Sequence, residues 1–245
     1  MVMKLLWLSN GRRSETGHLE IAMGSFLAEA LLLDFGSVIT YSAFEIMDRA
    51  ERRLALPPGT LTWRGPLDPA TDPLWVAMQA DQISERHYWE TRADEVGRLL
   101  GRKWAPLDFF RAIRGQDLNE DVRPEIATLV KEARGAGLKL GILTNELELF
   151  GGAEWSRTLE IARNMDVVVD ATRTNILKPD PRAYTMAIER LGIAAGAIVF
   201  VDDQKRNVEG ALRADLSAVH FDVCDVPRSI AAIRATLGLR REDLP

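Results

Sequence analysis

Cysteine is nearly absent: Cys224 is the single one in 245 residues. One thiol cannot build an intrachain disulfide framework or a thiolate zinc cluster, and it points to a reducing compartment. Long apolar runs are missing as well. No stretch approaches the ~20 residues that a membrane-spanning helix needs, so no membrane association is expected. The N-terminal "MVMKLLWLSNGRRSETGHLEIAMGS" places a short apolar patch ahead of its basic residues, the reverse of a secretory leader. Residues 1–28 therefore read as an appendage to a cytoplasmic protein, with Met23 as an alternative start. A basic excess is lacking too. Lys+Arg number 31 against 36 Asp+Glu, a formal charge of −5 that argues against nucleic acid as a partner. Internal repeats and low-complexity tracts are also missing.

Apolar residues are plentiful, at 47%, enough for one large domain or for a core with an insertion. The second half alternates helical and β patterns. "EIATLVKEARGAG" (125–137) sets Ile126, Leu129, Val130 and Ala133 on one helical face and stops at glycine. "LKLGIL" (138–143) follows as a strand, "TLEIARNM" (158–165) as a helix and "DVVVD" (166–170) as a strand. "PRAYTMAIERLG" (181–192) is an amphipathic helix and "AIVFV" (197–201) a continuous apolar strand. "RNVEGALRA" (206–214) is helical, and "SAVHF" (217–221) is the last strand. "ALLLD" (30–34) supplies one more at the front.

This rhythm predicts an α/β fold, a Rossmann-like doubly wound parallel sheet that binds ligands beyond the carboxyl ends of its strands. Residues 41–120 break it, with helical patterns at 42–56, 72–82, 84–101 and 107–115 and no β run. The expected organisation is a core of 29–40 and 121–245, with 41–120 inserted as a helical lid over the site.

Chemistry gathers where the strands end. Asp34 follows the first, Thr144 and Asn145 follow "LKLGIL", Lys178 lies in the loop past "DVVVD", and Asp202 and Asp203 follow "AIVFV". In that order, "LLLDFGSV", "GILTN", "LKPDPRAY" and "VFVDDQKRNVEGA" resemble the four motifs of the haloacid dehalogenase-like (HAD) superfamily, whose members are mostly phosphatases. The insertion is similar in position to that superfamily's C1-type cap, and "ISERHYWETRADEVG" resembles cap helices of its epoxide-hydrolase-like branch. The resemblance runs over roughly residues 29–225.

It implies a Mg²⁺-dependent phosphatase for a small phosphorylated metabolite. Asp34 would attack phosphorus and form an aspartyl-phosphate. Asp34, the Gly36 carbonyl and Asp202 would ligate Mg²⁺, with Asp203 as a further ligand or beside one. Lys178 would balance the carboxylates and hold phosphoryl oxygens, together with Thr144 and the Asn145 N–H.

Each group has a plainer reading by itself. Asp34 fits a turn before glycine, Asp202–Asp203 and Thr144–Asn145 fit helix caps, and Lys178 fits a solvated surface. Their joint placement at strand ends favours function. Trp63, Arg64 and His87 are specificity candidates in the insertion, although a solvated helix face also suits His87. Trp75, Tyr88 and Trp89 read as packing residues, His220 as structural and Cys224 as unreactive.

One departure matters. HAD phosphatases usually carry an aspartate two residues after the nucleophile to handle the leaving-group proton, and here that position is Gly36. Three readings follow. The first is a phosphatase that needs a good leaving group or borrows an acid such as Glu45, Glu85 or His87. The second is a metal-free 2-haloacid dehalogenase, and the third a binding protein that has lost catalysis.

Overall fold

The computed structural model describes residues 28–114, 117–145, 147 and 159–239, so the expected appendage lies outside the described residues except for Ala28. Five strands form one parallel sheet: β1 (Ala30–Leu33), β2 (Lys139–Thr144), β3 (Val167–Asp170), β4 (Ile198–Asp202) and β5 (Ser217–His220). Their order is β3-β2-β1-β4-β5. The first crossovers run outward on one side of β1, and β4 then starts on the other. The direction reverses between β1 and β4, which opens a crevice at their carboxyl ends. Leu33 pairs with Val201 on one side and Ile142 on the other, so the residues next along, Asp34 and Asp202, stand side by side at the carboxyl end of the sheet.

The apolar run of β1 is buried on both faces. Leu31 and Leu33 join a core with Ile126, Leu129, Ile142, Val201, Ile230 and Ile233. Ala30 and Leu32 join another with Tyr184, Ala187, Leu191 and Phe200. Alternation along a pleated strand sends successive side chains to opposite faces, and helices cover both.

Residues 41–120, between β1 and β2, carry α1 (Met47–Arg53), α2 (Pro73–Gln79), α3 (Glu85–Leu99) and α4 (Pro106–Arg114). They enclose a separate core of aromatic side chains, among them Phe44, Trp63, Trp75, Tyr88, Trp89, Phe109 and Phe110. Inside it, buried Asp72 accepts from the Trp75 N–H (2.9 Å) and the Tyr88 hydroxyl (2.7 Å) and pairs with Arg92. The two connections to the sheet domain run together. Thr40 bridges Val122 antiparallel, and Tyr41 N–H donates to the Asp121 carbonyl at 2.9 Å.

The sheet domain carries α5 (Pro124–Gly135), α6 (Glu160–Arg163), α7 (Ala171–Thr174), α8 (Pro181–Leu191), α9 (Lys205–Arg213) and α10 (Val226–Leu237). Side chains of α5 and α10 enter the core on one face of the sheet, and those of α8 and α9 enter the other. No described helix is long and apolar enough to cross a membrane.

Two differences from the sequence pattern have physical causes. The expected helix at 42–56 shrinks to Met47–Arg53. The Glu45 carboxylate turns back to the Ser42 N–H and hydroxyl, both at 2.8 Å, and beyond the helix Ala55 takes a left-handed φ of 54°. Helix α10 was not anticipated, although Asp225 caps it and Gly238 ends it in the left-handed region.

Candidate active site

Strand β1 delivers Asp34 with its N–H bound to the Val201 carbonyl at 2.8 Å. The chain then turns sharply. Ser37 adopts φ 64°, a conformation a non-glycine residue takes only when its surroundings enforce it. Arg123 does so, its Nε donating to the Ser37 carbonyl at 3.0 Å. Gly36, by contrast, sits at φ −67° and ψ 139°, ordinary backbone for any residue, and a Cβ there would meet nothing within 4 Å.

Lys178 is the hub of the site. Its Nζ donates to Asp34 Oδ1 at 2.7 Å and to Asp202 Oδ2 at 2.6 Å, almost wholly out of solvent. Asn145 fixes the loop that carries it: Lys178 N–H donates to Asn145 Oδ1 (2.7 Å), and Asn145 Nδ2 donates to the Lys178 carbonyl (3.2 Å). Asp202 is held in turn by the Gln204 N–H (2.8 Å) and Asn207 Nδ2 (3.0 Å). Asp203 stands beside it, its carbonyl 3.0 Å from His220 Nε2.

Oxygens of Asp34, Asp202 and Asp203 all lie within 4.8 Å of one another. Fully ionised, three carboxylates against one ammonium would leave two negative charges in a largely buried crevice. Burial, the Lys178 charge notwithstanding, pushes Asp34 from 3.8 up to about 7. Burial and the neighbouring carboxylates push Asp203 well up too. Burial also pulls on Lys178, but Asp202 and Asp34 more than offset it and hold the ammonium above its ordinary range. Asn207 Oδ1 is buried with no hydrogen-bond partner among the described residues. An oxygen-rich donor set, a twofold charge deficit and an open acceptor fit a hard divalent cation such as Mg²⁺.

The charge deficit has a measurable sign. Folded metal-free protein holds the Asp34 proton up to about pH 7, whereas its unperturbed value is 3.8. Stability from this group is therefore fully present below about pH 4 and lost as pH rises through about 7. Urea midpoints in EDTA are expected to fall between about pH 5 and pH 8, and Mg²⁺ is expected to abolish the fall. A flat profile in EDTA would refute this.

Asp34, Gly36, Thr144, Asn145, Lys178 and Asp203 line one cavity of ≈ 80 Å³, with Asp202 behind Lys178. The helical segment closes it with Phe44, Trp75, Glu85, Trp89, Phe110 and Arg114. Trp75 and Trp89 thus wall the cavity as well as packing their own core. Arg206 reaches Glu85 at 3.3 Å, and Gln79 Nε2 reaches Gln204 Oε1 at 2.9 Å, tying the segment down onto the sheet domain.

The specificity candidates are not brought to this cavity. Trp63 is buried against Phe44 and Phe109, Arg64 donates to the Leu61 carbonyl at 3.0 Å, and His87 is exposed. The reason lies in helical period. Glu85 and Trp89, four apart on α3, share the face that meets the cavity, and His87 lies about 200° round from Glu85. Sequence reading missed Arg114, whose signal was its i,i+4 spacing from Phe110 on α4.

The family described as haloacid dehalogenase-like hydrolase matches residues 28–215. Similar curated proteins include a phosphatase of Mycobacterium tuberculosis, 33% identical over 145 residues (59% of this chain, 64% of the relative). Phosphoglycolate phosphatase of Escherichia coli is 30% identical over 161 residues, with the same coverages of 59% and 64%. A mouse protein, acyl-CoA dehydrogenase family member 10, is 25% identical over 85% of this chain, which spans only 19% of it. The chain thus covers less than two thirds of each of these relatives. Among solved structures, the Bacillus subtilis HAD-hydrolase YfnB, determined with magnesium bound, superposes with a TM-score of 0.62 at 16% identity, covering 86% of this chain and 99% of that one. An L-2-haloacid dehalogenase superposes at 0.56 and 19% identity, covering 80% and 87%.

Proposed function

Because the chain belongs to the haloacid dehalogenase-like hydrolases, we propose that it is a Mg²⁺-dependent phosphatase for a small phosphorylated metabolite, with Asp34 as nucleophile. The carrying observation is the Lys178 bridge between Asp34 and Asp202 beside a third carboxylate at the sheet's switch point. The phosphatases among its relatives support the same reaction class. Residues 29–40 and 121–245 form the catalytic core, and 41–120 a C1-type cap of the epoxide-hydrolase-like kind.

Asp34, the Gly36 carbonyl, Asp202 and Asp203 would hold the cation. When bound, it supplies neutralisation of the phosphoryl oxygens. Lys178 aligns Asp34 and favours its ionised form against the effect of burial, and with Thr144 and the Asn145 N–H receives the same oxygens. An Asp34 oxygen attacks phosphorus, the P–O bond to the alcohol breaks, and the alcohol oxygen takes a proton. Water then attacks phosphorus, gives up a proton and releases Asp34 with inorganic phosphate.

The proton donor and acceptor in this scheme is Glu85. Among the acids considered from sequence, it alone lines the cavity. Glu45 is held by Arg123 (2.8 Å to Oε1) and Ser42, and His87 faces outward. Burial raises the Glu85 carboxyl, against the pull of Arg206 and Lys178, in the direction a general acid needs. Glu85→Gln is expected to slow an alkyl phosphate roughly 10²-fold or more and an activated aryl phosphate far less. An equal loss on both would remove Glu85 from this role.

Incubation with an aryl phosphate, an alkyl phosphate and a 2-haloacid, each with and without Mg²⁺, tests the whole reading. Metal-dependent phosphate release is expected. Metal-free halide release would install the dehalogenase reading, which Gly36 favours because carbon–halogen displacement needs no acid. That chemistry would leave the three carboxylates of the crevice with the Lys178 ammonium as their one close cation among the described residues.

A further inference from the structure

Arg114 is the last residue of α4, it is buried, and it lines the same cavity as Asp34 and Lys178. Its hydrogen bonds go to neutral groups: Nη1 to Thr40 Oγ1 at 3.0 Å and Nη2 to the Tyr41 carbonyl at 3.3 Å. The nearest carboxylate, Asp121, is engaged by Arg49, and its Oδ2 stands 4.0 Å from Arg114 Nη1. That Oδ2 has no hydrogen-bond partner of its own among the described residues. Glu45, the other acid facing this region, is taken by Arg123.

Two guanidiniums therefore share one carboxylate, and Arg114 is the one without a hydrogen-bonded counter-ion among the described residues. Burial draws its pKa down from 12.5, with Asp121 only partly compensating. The ion pair with Asp121 is long, at 4.0 Å and without a hydrogen bond, and a loosely paired buried charge keeps much of its desolvation cost. An anion arriving in the cavity would supply a closer partner, and a carboxylate matches the guanidinium fork.

We propose that Arg114 receives a carboxylate of the substrate, so that the cavity selects a short phosphorylated carboxylic acid over a neutral alcohol phosphate. The cavity is charged at both ends and aromatic between, with Phe44, Trp89 and Phe110 along the wall. Its ≈ 80 Å³ has room for a small occupant. Phosphoryl transfer is taken over from the function proposed above; the carboxylate anchor stands on Arg114 and is tested separately.

The test compares 2-phosphoglycolate with ethyl phosphate in Mg²⁺, substrates that differ chiefly in the carboxylate. The native chain is expected to favour 2-phosphoglycolate in kcat/KM by about 10²-fold, the worth of hydrogen bonds to a charged group. In Arg114→Gln that preference is expected to collapse towards one, mostly through KM, and Arg114→Lys is expected to retain part of it. Loss of a structural contact between α4 and the Thr40–Tyr41 link would lower both substrates together and leave the ratio unchanged, which overturns the proposal. Equal kcat/KM for the two substrates in the native chain also overturns it, while leaving the phosphatase reading intact. If neither is hydrolysed, the aryl phosphate assay above decides the phosphatase reading, and metal-free calorimetry with glycolate decides the anchor. Binding by the native chain that is lost in Arg114→Gln supports it; no binding overturns it.

Discussion

Asp34→Asn is expected to lower metal-dependent turnover of an aryl phosphate by about 10⁴–10⁶-fold, the scale on which removal of a covalent nucleophile acts. The amide keeps the shape and an acceptor for Lys178 but cannot form the phosphoryl ester. Its effect on stability should have the opposite sign. Asp34 belongs to a buried group with two negative charges in excess, and burial already pushes it up to about 7. Removing one charge relieves that crowding, so the metal-free variant should unfold at a urea concentration no lower than the parent's at about pH 8. An active site that gains stability when its nucleophile is disarmed is the expected trade-off. Metal-dependent turnover surviving the substitution would sink the assignment of Asp34.

Gly36→Asp should do the reverse on both counts. The backbone there is ordinary, at φ −67°, and a Cβ meets nothing within 4 Å, so the side chain fits without displacing a neighbour. It would bring a carboxyl into a buried, negatively charged crevice, where its neutral form is favoured and a proton is held ready for the leaving group. Turnover of ethyl phosphate is expected to rise roughly 10²–10⁴-fold, with a smaller rise for an activated aryl phosphate. Metal-free stability is expected to fall, because a fourth carboxyl joins the group. Combined with Glu85→Gln, the gain should be larger than in the parent if both side chains serve the same proton. No gain on ethyl phosphate, with the fold intact by circular dichroism, would show that proton transfer to the leaving group does not limit the proposed reaction.

Most of the sheet could be read from single segments. β1 and β4 are short apolar runs that have no other use than burial on both faces, and α5 and α8 carry their inward residues at helical spacing. Helix ends were less legible where tertiary contacts overrode propensity, as at 42–46, where the Glu45 carboxylate is drawn to Ser42 and Arg123. Within the site, Asp34, Lys178, Asp202 and Asp203 could be grouped because strand ends in a parallel sheet converge. The side chains from the helical segment could not. Whether Glu85 or His87 faces the cavity depends on how α3 is rotated against the sheet, and a polar helix with charges all round gives no face preference of its own.

The order of the strands along the chain and the residues at each strand's end were already legible in the sequence, because these depend on local pattern and on the handedness of crossovers. Which side chains of the helical segment close the cavity was settled by packing. That choice put Glu85 and Arg114 inside and left Trp63, Arg64 and His87 outside. Facing depends on the relative rotation of packed helices, and how closely a charge is paired depends on which neighbours claim each carboxylate, so neither is a property of any single segment.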